Sequence, residues 1–94
     1  MQPNFEWDEE KAKANVRNHR VSFDEAATVF GDPLSMTIPD PDHSLDEKRY
    51  VDIGRSDVGR ILVVAYTERG GNIRIVTCRK ATPRERRRYE EAKD

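Results

Sequence analysis

The side chains with chemistry to offer lie mostly in the second half of this 94-residue chain. Glu47 and Arg49 open one apolar run, Arg74, Arg79 and Lys80 punctuate another, and Arg84 and Tyr89 sit in a charged tail. His43 stands in an acidic, Pro-rich stretch just before Glu47. These types suit phosphodiester cleavage without a metal. Attack of a ribose 2′-hydroxyl on the adjacent phosphorus needs a base for the hydroxyl, a cation for the crowded phosphate oxygens, and a proton for the departing 5′-oxygen. Arg or Lys near strand ends supplies the cation. Glu47, His43 or His19 is a candidate base, and Tyr89, Lys80 or a histidine a candidate acid.

Each candidate also has a plain structural reading. His19 between two helices caps the first one's carbonyls, and Glu47-Lys48-Arg49 is a solvated strand entrance. Arg84 to Arg88 forms an exposed helix face, and Tyr89 anchors that helix. Arg79 and Lys80 are consecutive in a strand and point to opposite faces, so at most one joins a given site directly. Cys78 lies inside an apolar run, where a small core residue is expected rather than a nucleophile.

Other chemistries lack their residues. One Cys and two His cannot complete a zinc site without carboxylate help, and Asp40, Asp42 and His43 are read as an acidic turn before a cation site. No glycine-rich phosphate loop, nucleophile elbow or dinucleotide fingerprint is present, so neither metal nor cofactor is expected. A single cysteine excludes an internal disulfide. No run reaches the ~20 apolar residues of a membrane span, and Met1 to Glu10 lacks the layout of a signal peptide. A cytoplasmic protein is the expectation.

The net charge of −1 conceals a segregated chain. Met1 to Glu47 holds 11 acidic and 4 basic residues, whereas Lys48 to Asp94 holds 7 acidic and 13 basic ones. Such a chain can present a cationic face to phosphates. Twelve of the basic residues are Arg, whose planar fork matches phosphate oxygens. Salt bridges to the acidic half would absorb the same arginines.

The elements that must position these groups are marked by their ends. Asn4 to Trp7 alternates polar and aromatic, as a short strand does. Asp8 caps a helix of about Glu9 to Asn18 with only Ala12, Ala14 and Val16 to pack. Ser22-Phe23-Asp24-Glu25 is a capping box with Val21 and Ala26 as its staple. Phe23, Ala26, Ala27 and Phe30 then line one helical face up to Gly31. Leu34 to Ile38 is a short strand. Arg49 to Arg55, Arg60 to Glu68 and Ile73 to Lys80 form hairpin-linked strands, the middle one covered on both faces. Thr82-Pro83-Arg84-Glu85 opens a last helix with a second capping box. The expected fold is α+β, one domain over 1–94, with a small antiparallel sheet of three to four main strands, two N-terminal helices and one C-terminal helix.

An ordered set of short pieces resembles the BrnT toxin family over nearly the whole chain. It begins with Phe5-Glu6-Trp7-Asp8, Lys11-Ala12, Asn15 and His19. Val21 to Ala26, Val29 to Pro33, His43-Ser44 and Glu47-Lys48-Arg49 follow. It ends with Ile53-Gly54, Gly59-Arg60, Tyr66 to Arg69, Ile73 to Ile75, Cys78 to Thr82, Glu85-Arg86 and Tyr89-Glu90. The departures are Arg20, where glycine is expected, and Cys78, where a small residue such as Ala is usual. The resemblance implies a RelE-like ribonuclease fold and a type II toxin that cleaves RNA and inhibits translation and growth. It further implies a BrnA-type antitoxin with a ribbon–helix–helix part, through which operator DNA is contacted. The alternatives are a non-catalytic module binding nucleic acid or antitoxin, and an inactive relative kept for operon autoregulation.

For the site, Glu47 and Arg49 at the entrance of the first long strand are expected to meet Arg79 and Lys80 at the end of the last. Glu47 or His43 is then the base, and Arg74, Arg84 and Tyr89 touch RNA. Strict alternation puts Arg74 and Lys80 on one face and Arg79 with Ile73 and Ile75 on the other. With helices over the isoleucine face, Lys80 and Arg74 would be open and Arg79 at the rim.

Overall fold

A computed structural model of the protein describes residues 4–39 and 49–92. Its elements run β1 (Asn4–Glu6), α1 (Glu9–His19), α2 (Phe23–Thr28), a 3-10 turn (Val29–Gly31), β2 (Met36–Pro39), β3 (Arg49–Arg55), β4 (Ile61–Arg69), β5 (Asn72–Lys80) and α3 (Pro83–Ala92). The five strands form one sheet in the order β1-β5-β4-β3-β2.

The α+β class and the placement of the helices agree with expectation, but the antiparallel sheet of three to four strands does not. The sheet has five strands and is mixed, because β1 adds parallel to β5, pairing Phe5 with Ile73 and Glu6 with Arg74. Aromatic alternation marked the first strand as extended; which edge it would join is a tertiary matter.

The helix starts follow their caps. Asp8 Oδ1 accepts from the amides of Glu10 and Lys11 at 2.8 and 3.3 Å. Ser22 Oγ accepts from the Glu25 amide at 3.0 Å, but the Glu25 carboxylate does not reach back. It takes the Arg60 guanidinium and the Ser56 hydroxyl instead, fastening α2 to the β3–β4 turn. α1 ends on Arg20, held left-handed at φ 60° while its amide donates to Val16 O at 3.0 Å. Arginine therefore adopts the conformation for which glycine was expected, and this backbone amide, not His19, closes the helix.

Two apolar clusters flank the sheet. Val21, Phe23, Ala26 and Val29 from the α2 region pack on Leu62, Val64, Ile75 and Cys78, while Ile53, Ile61, Val63 and Tyr89 form a smaller cluster beneath α3. β4 is thus covered on both faces, as its unbroken apolar run foretold. At Gly54 a Cβ would fall 2.9 Å from both Ser35 Cβ and Val29 Cγ1, so glycine lets the 3-10 turn lie directly on β3.

α1 is fastened by a polar residue. Asn15, only 6% exposed, accepts from the Cys78 amide at 3.0 Å and donates to Cys78 O at 2.8 Å and Val21 O at 2.9 Å. β1 pairs only as far as Arg74, and beyond it the Asn15 amide takes the place of a neighbouring strand for Cys78. Val16, expected in the packing of α1, is 46% exposed.

Candidate functional site

β5 does not alternate evenly along its length. Tyr66 pairs with Ile75 while Ala65 pairs with Thr77, leaving Val76 as an extra residue. Such a bulge exchanges the faces taken by everything beyond it. Cross-strand partners share a face, and Lys80 lies opposite Leu62 while Arg79 lies opposite Val63. Lys80 therefore falls on the side of α1 and α2, and Arg79 joins Arg74 on the side of α3. This reverses the expected placement, in which Lys80 was open and Arg79 peripheral. The two-residue period fails because the chain carries one residue more than its partner strand.

On the α3 side, Val51, Ile53, Val63, Ala65 and Thr77 floor a groove of about 290 Å³ bordered by Arg79, Glu85 and Arg88. Arg79 is fixed within it. Its Nη1 and Nη2 donate to the two Glu85 carboxylate oxygens at 2.7 and 2.9 Å. Glu85 Oε1 also accepts the Thr82 amide at 2.9 Å, and Thr82 Oγ1 accepts the Glu85 amide at 3.2 Å. The second capping box is complete, and it doubles as the clamp on Arg79. The Arg79 hydrogen bonds, with the Thr82 amide beside them, hold the Glu85 carboxyl down at about 2. A carboxylate of that acidity is a weak base; it orients the guanidinium.

α3 is also docked through Tyr89, which is 1% exposed and donates its hydroxyl to Asp32 Oδ2 at 2.6 Å. Asp32 also receives the amides of Arg55 and Leu34. Burial pushes its carboxyl up, but the donated hydrogen bonds outweigh this and leave it lowered. Tyr89, expected among the RNA contacts, is instead an internal anchor. Arg84 is exposed at the start of α3, one turn before Arg88 on the same helical flank.

A polar row crosses the same sheet face at its other end. Thr67 lies between Arg49 on β3 and Arg74 on β5, and Arg74 reaches Glu6 on β1 at 3.5 Å. Four residues of β4 separate this row from that of Arg79, roughly 13 Å at strand rise. Arg49 and Arg79 therefore do not meet; they bracket the groove floor. Thr67 is 1% exposed, and its hydroxyl has no hydrogen-bond partner.

The remaining candidates are dispersed. Lys80 borders a separate groove with Arg55, Arg60 and Arg86. His19 is exposed at the end of α1. Cys78 is buried, and burial raises its thiol to about 12, the behaviour of a core residue. Asp40, Asp42, His43 and Glu47 lie outside the described residues, and among the described residues no three His, Cys, Asp or Glu side chains cluster as metal ligands. No described helix is long and apolar enough to cross a membrane. Glu85, Arg88 and Thr67 are site residues that the sequence pattern does not single out. Glu85 carries a signal in its capping box, but that motif by itself marks only a helix start.

The family model described as the ribonuclease toxin BrnT of a type II toxin–antitoxin system matches residues 7–85. Among solved structures, the 1.1 Å crystal structure of the Brucella abortus ribonuclease toxin BrnT is similar with a TM-score of 0.67 and 19% sequence identity, covering 85% of this chain and 97% of that chain. At this identity the likeness is one of fold. No curated protein matches the chain.

Proposed function

Because the chain belongs to the BrnT family of ribonuclease toxins of type II toxin–antitoxin systems, we propose that it is a metal-independent endoribonuclease whose active site is the groove between the sheet and α3. The observation that carries this reading is the pairing of an apolar floor with Arg79 and Arg88 at its border. An apolar floor receives a base or ribose, and fixed guanidinium groups meet the charge that develops on phosphorus-bound oxygens.

In the reaction the 2′-oxygen bonds to phosphorus as the bond to the 5′-oxygen breaks. The 2′-proton passes to a base, and the 5′-oxygen takes a proton as it leaves, so a 2′,3′-cyclic phosphate results. Arg79, oriented by Glu85, stabilises the crowded phosphate with Arg88. Glu47 or His43, just ahead of β3 in the chain, is the proposed base, while Arg49, Arg74 and Arg84 extend the cationic surface for the strand. Arg supplies charge without titrating at neutral pH, so a metal is not required for that role.

The whole chain, 1–94, acts in this reading as one ribonuclease domain in the cytoplasm, arresting translation and growth. A BrnA-type antitoxin with a ribbon–helix–helix part covers the basic face and contacts operator DNA. Induction of the gene in a host cell tests this directly. Growth should stop and should resume when the neighbouring gene is co-expressed. Unimpaired growth with folded protein present would favour a non-catalytic binding module.

A further inference from the structure

Thr67 is the one described side chain with a fully buried polar atom that has no partner. Packing does not account for its hydroxyl, because valine has the same shape and would avoid an unsatisfied buried donor. Its neighbours supply a reason. Thr67 faces the α3 side of the sheet between Arg49 and Arg74, whose strands stand about 9.6 Å apart, two inter-strand spacings. Arg49 makes no ion pair among the described residues. Arg74 has only the 3.5 Å contact with Glu6, longer than the two-pronged clamp of Glu85 on Arg79. Two arginines at neighbouring register positions thus flank a residue whose hydroxyl lacks an acceptor, a set of donors that suits a tetrahedral anion.

We propose that Arg49, Thr67 and Arg74 form a second phosphate subsite, which holds a backbone phosphodiester of the RNA other than the one that is cleaved. The naming of the anion as an RNA phosphate rests on the ribonuclease reading above. The position favours RNA over an acidic partner segment. The row continues the floor of the groove on one sheet face, and the ~13 Å to the row of Arg79 is too far for both ends to grip a single phosphate. A strand cleaved at Arg79 must lay its neighbouring phosphates along this face.

The test uses the full chain and a single-stranded RNA oligonucleotide with 2′-O-methyl riboses, which binds but cannot be cleaved. Thr67→Val should raise the thermal midpoint, since it removes the unsatisfied hydroxyl, yet weaken binding of this probe by about tenfold. Arg49→Ala and Arg74→Ala should each flatten the dependence of log affinity on log salt by ~0.7, the value for one lost phosphate contact on a single strand. On cleavable RNA these variants should raise KM with little change in kcat, because they do not touch the reacting phosphate. Parent-like affinity, salt slope and KM in all three variants would overturn the subsite alone, provided the parent cleaves RNA. Weakened antitoxin binding with unchanged RNA binding would likewise overturn it, in favour of an acidic protein segment. A parent that binds the probe through this row but never cleaves RNA would sink the ribonuclease reading and leave the subsite standing. If a variant fails to fold, inorganic phosphate titrated into the parent decides: NMR shifts centred on Arg49, Thr67 and Arg74 support the subsite, and shifts elsewhere or none reject it.

Discussion

Arg79 is held by both oxygens of one carboxylate, while Lys80, the next residue, leaves the sheet on the other side. One peptide unit separates the two cations, and the face decides what each can do. Arg79 opens on the groove floor through its place opposite Val63, whereas Lys80 stands opposite Leu62 near Glu25 and Arg60. Arg79→Ala should therefore reduce RNA cleavage by ~10²-fold or more, the usual effect of removing a donor that stabilises transition-state charge. Lys80→Ala should reduce it by less than about tenfold, as for a peripheral phosphate contact. The check is initial cleavage rate on one RNA, with circular dichroism to confirm that both variants fold. Equal losses from the two substitutions would refute the face assignment. Both residues were recognisable from their types in the sequence. Their faces were not, because a bulge at Val76 carries no glycine or other local mark.

Among the elements, α1 and α3 are short and largely solvated, and each is fastened by a polar device. For α1 it is Asn15, whose amide occupies the edge of β5 at Cys78. Asn15→Ala would leave the Cys78 amide and the carbonyls of Cys78 and Val21 without that partner, and should cost about 2–4 kcal/mol of stability in urea unfolding. A change within error would show that the edge is satisfied in another way. For α3 the device is the Arg79–Glu85–Thr82 set, and it brings a pH dependence. The Glu85 carboxyl is lowered from 4.5 to about 2 in the folded protein. A depressed acid stabilises the fold fully above its unfolded value and loses that contribution as pH falls toward the folded one. The parent should thus lose stability between about pH 5 and 2 through this group, and Glu85→Gln, already lacking the contribution at neutral pH, should show a shallower acid decline in its thermal midpoint. Identical acid profiles would remove the clamp from the account. Both capping boxes were legible as helix starts. The onward reach of Glu25 to Arg60 and of Glu85 to Arg79 was not, because each partner lies on another element.

For the molecule as a whole, the charge segregation of the chain does not become a segregation of sides. α1 carries Lys11, Lys13 and Arg17 beside Glu9 and Glu10, α2 adds Asp24 and Glu25, and Lys80 stands on that side of the sheet too. The other side gathers Arg49, Arg74, Arg79 and Arg88 around the groove and its continuation. Composition made a cationic face legible, and the element order made the α+β class legible. The parallel pairing of β1 with β5 and the separation of Arg49 from Arg79 needed the three-dimensional register. A face of guanidinium groups can bind and stabilise a phosphodiester without a metal. The most direct test incubates the purified full chain with single-stranded RNA in excess chelator, beside the Arg79→Ala variant. The parent should cleave and leave 2′,3′-cyclic phosphate ends, and the variant should cleave at least ~10²-fold more slowly. Cleavage that vanishes in chelator and returns with one divalent ion, or a folded Arg79→Ala protein as active as the parent, would contradict this reading of the site.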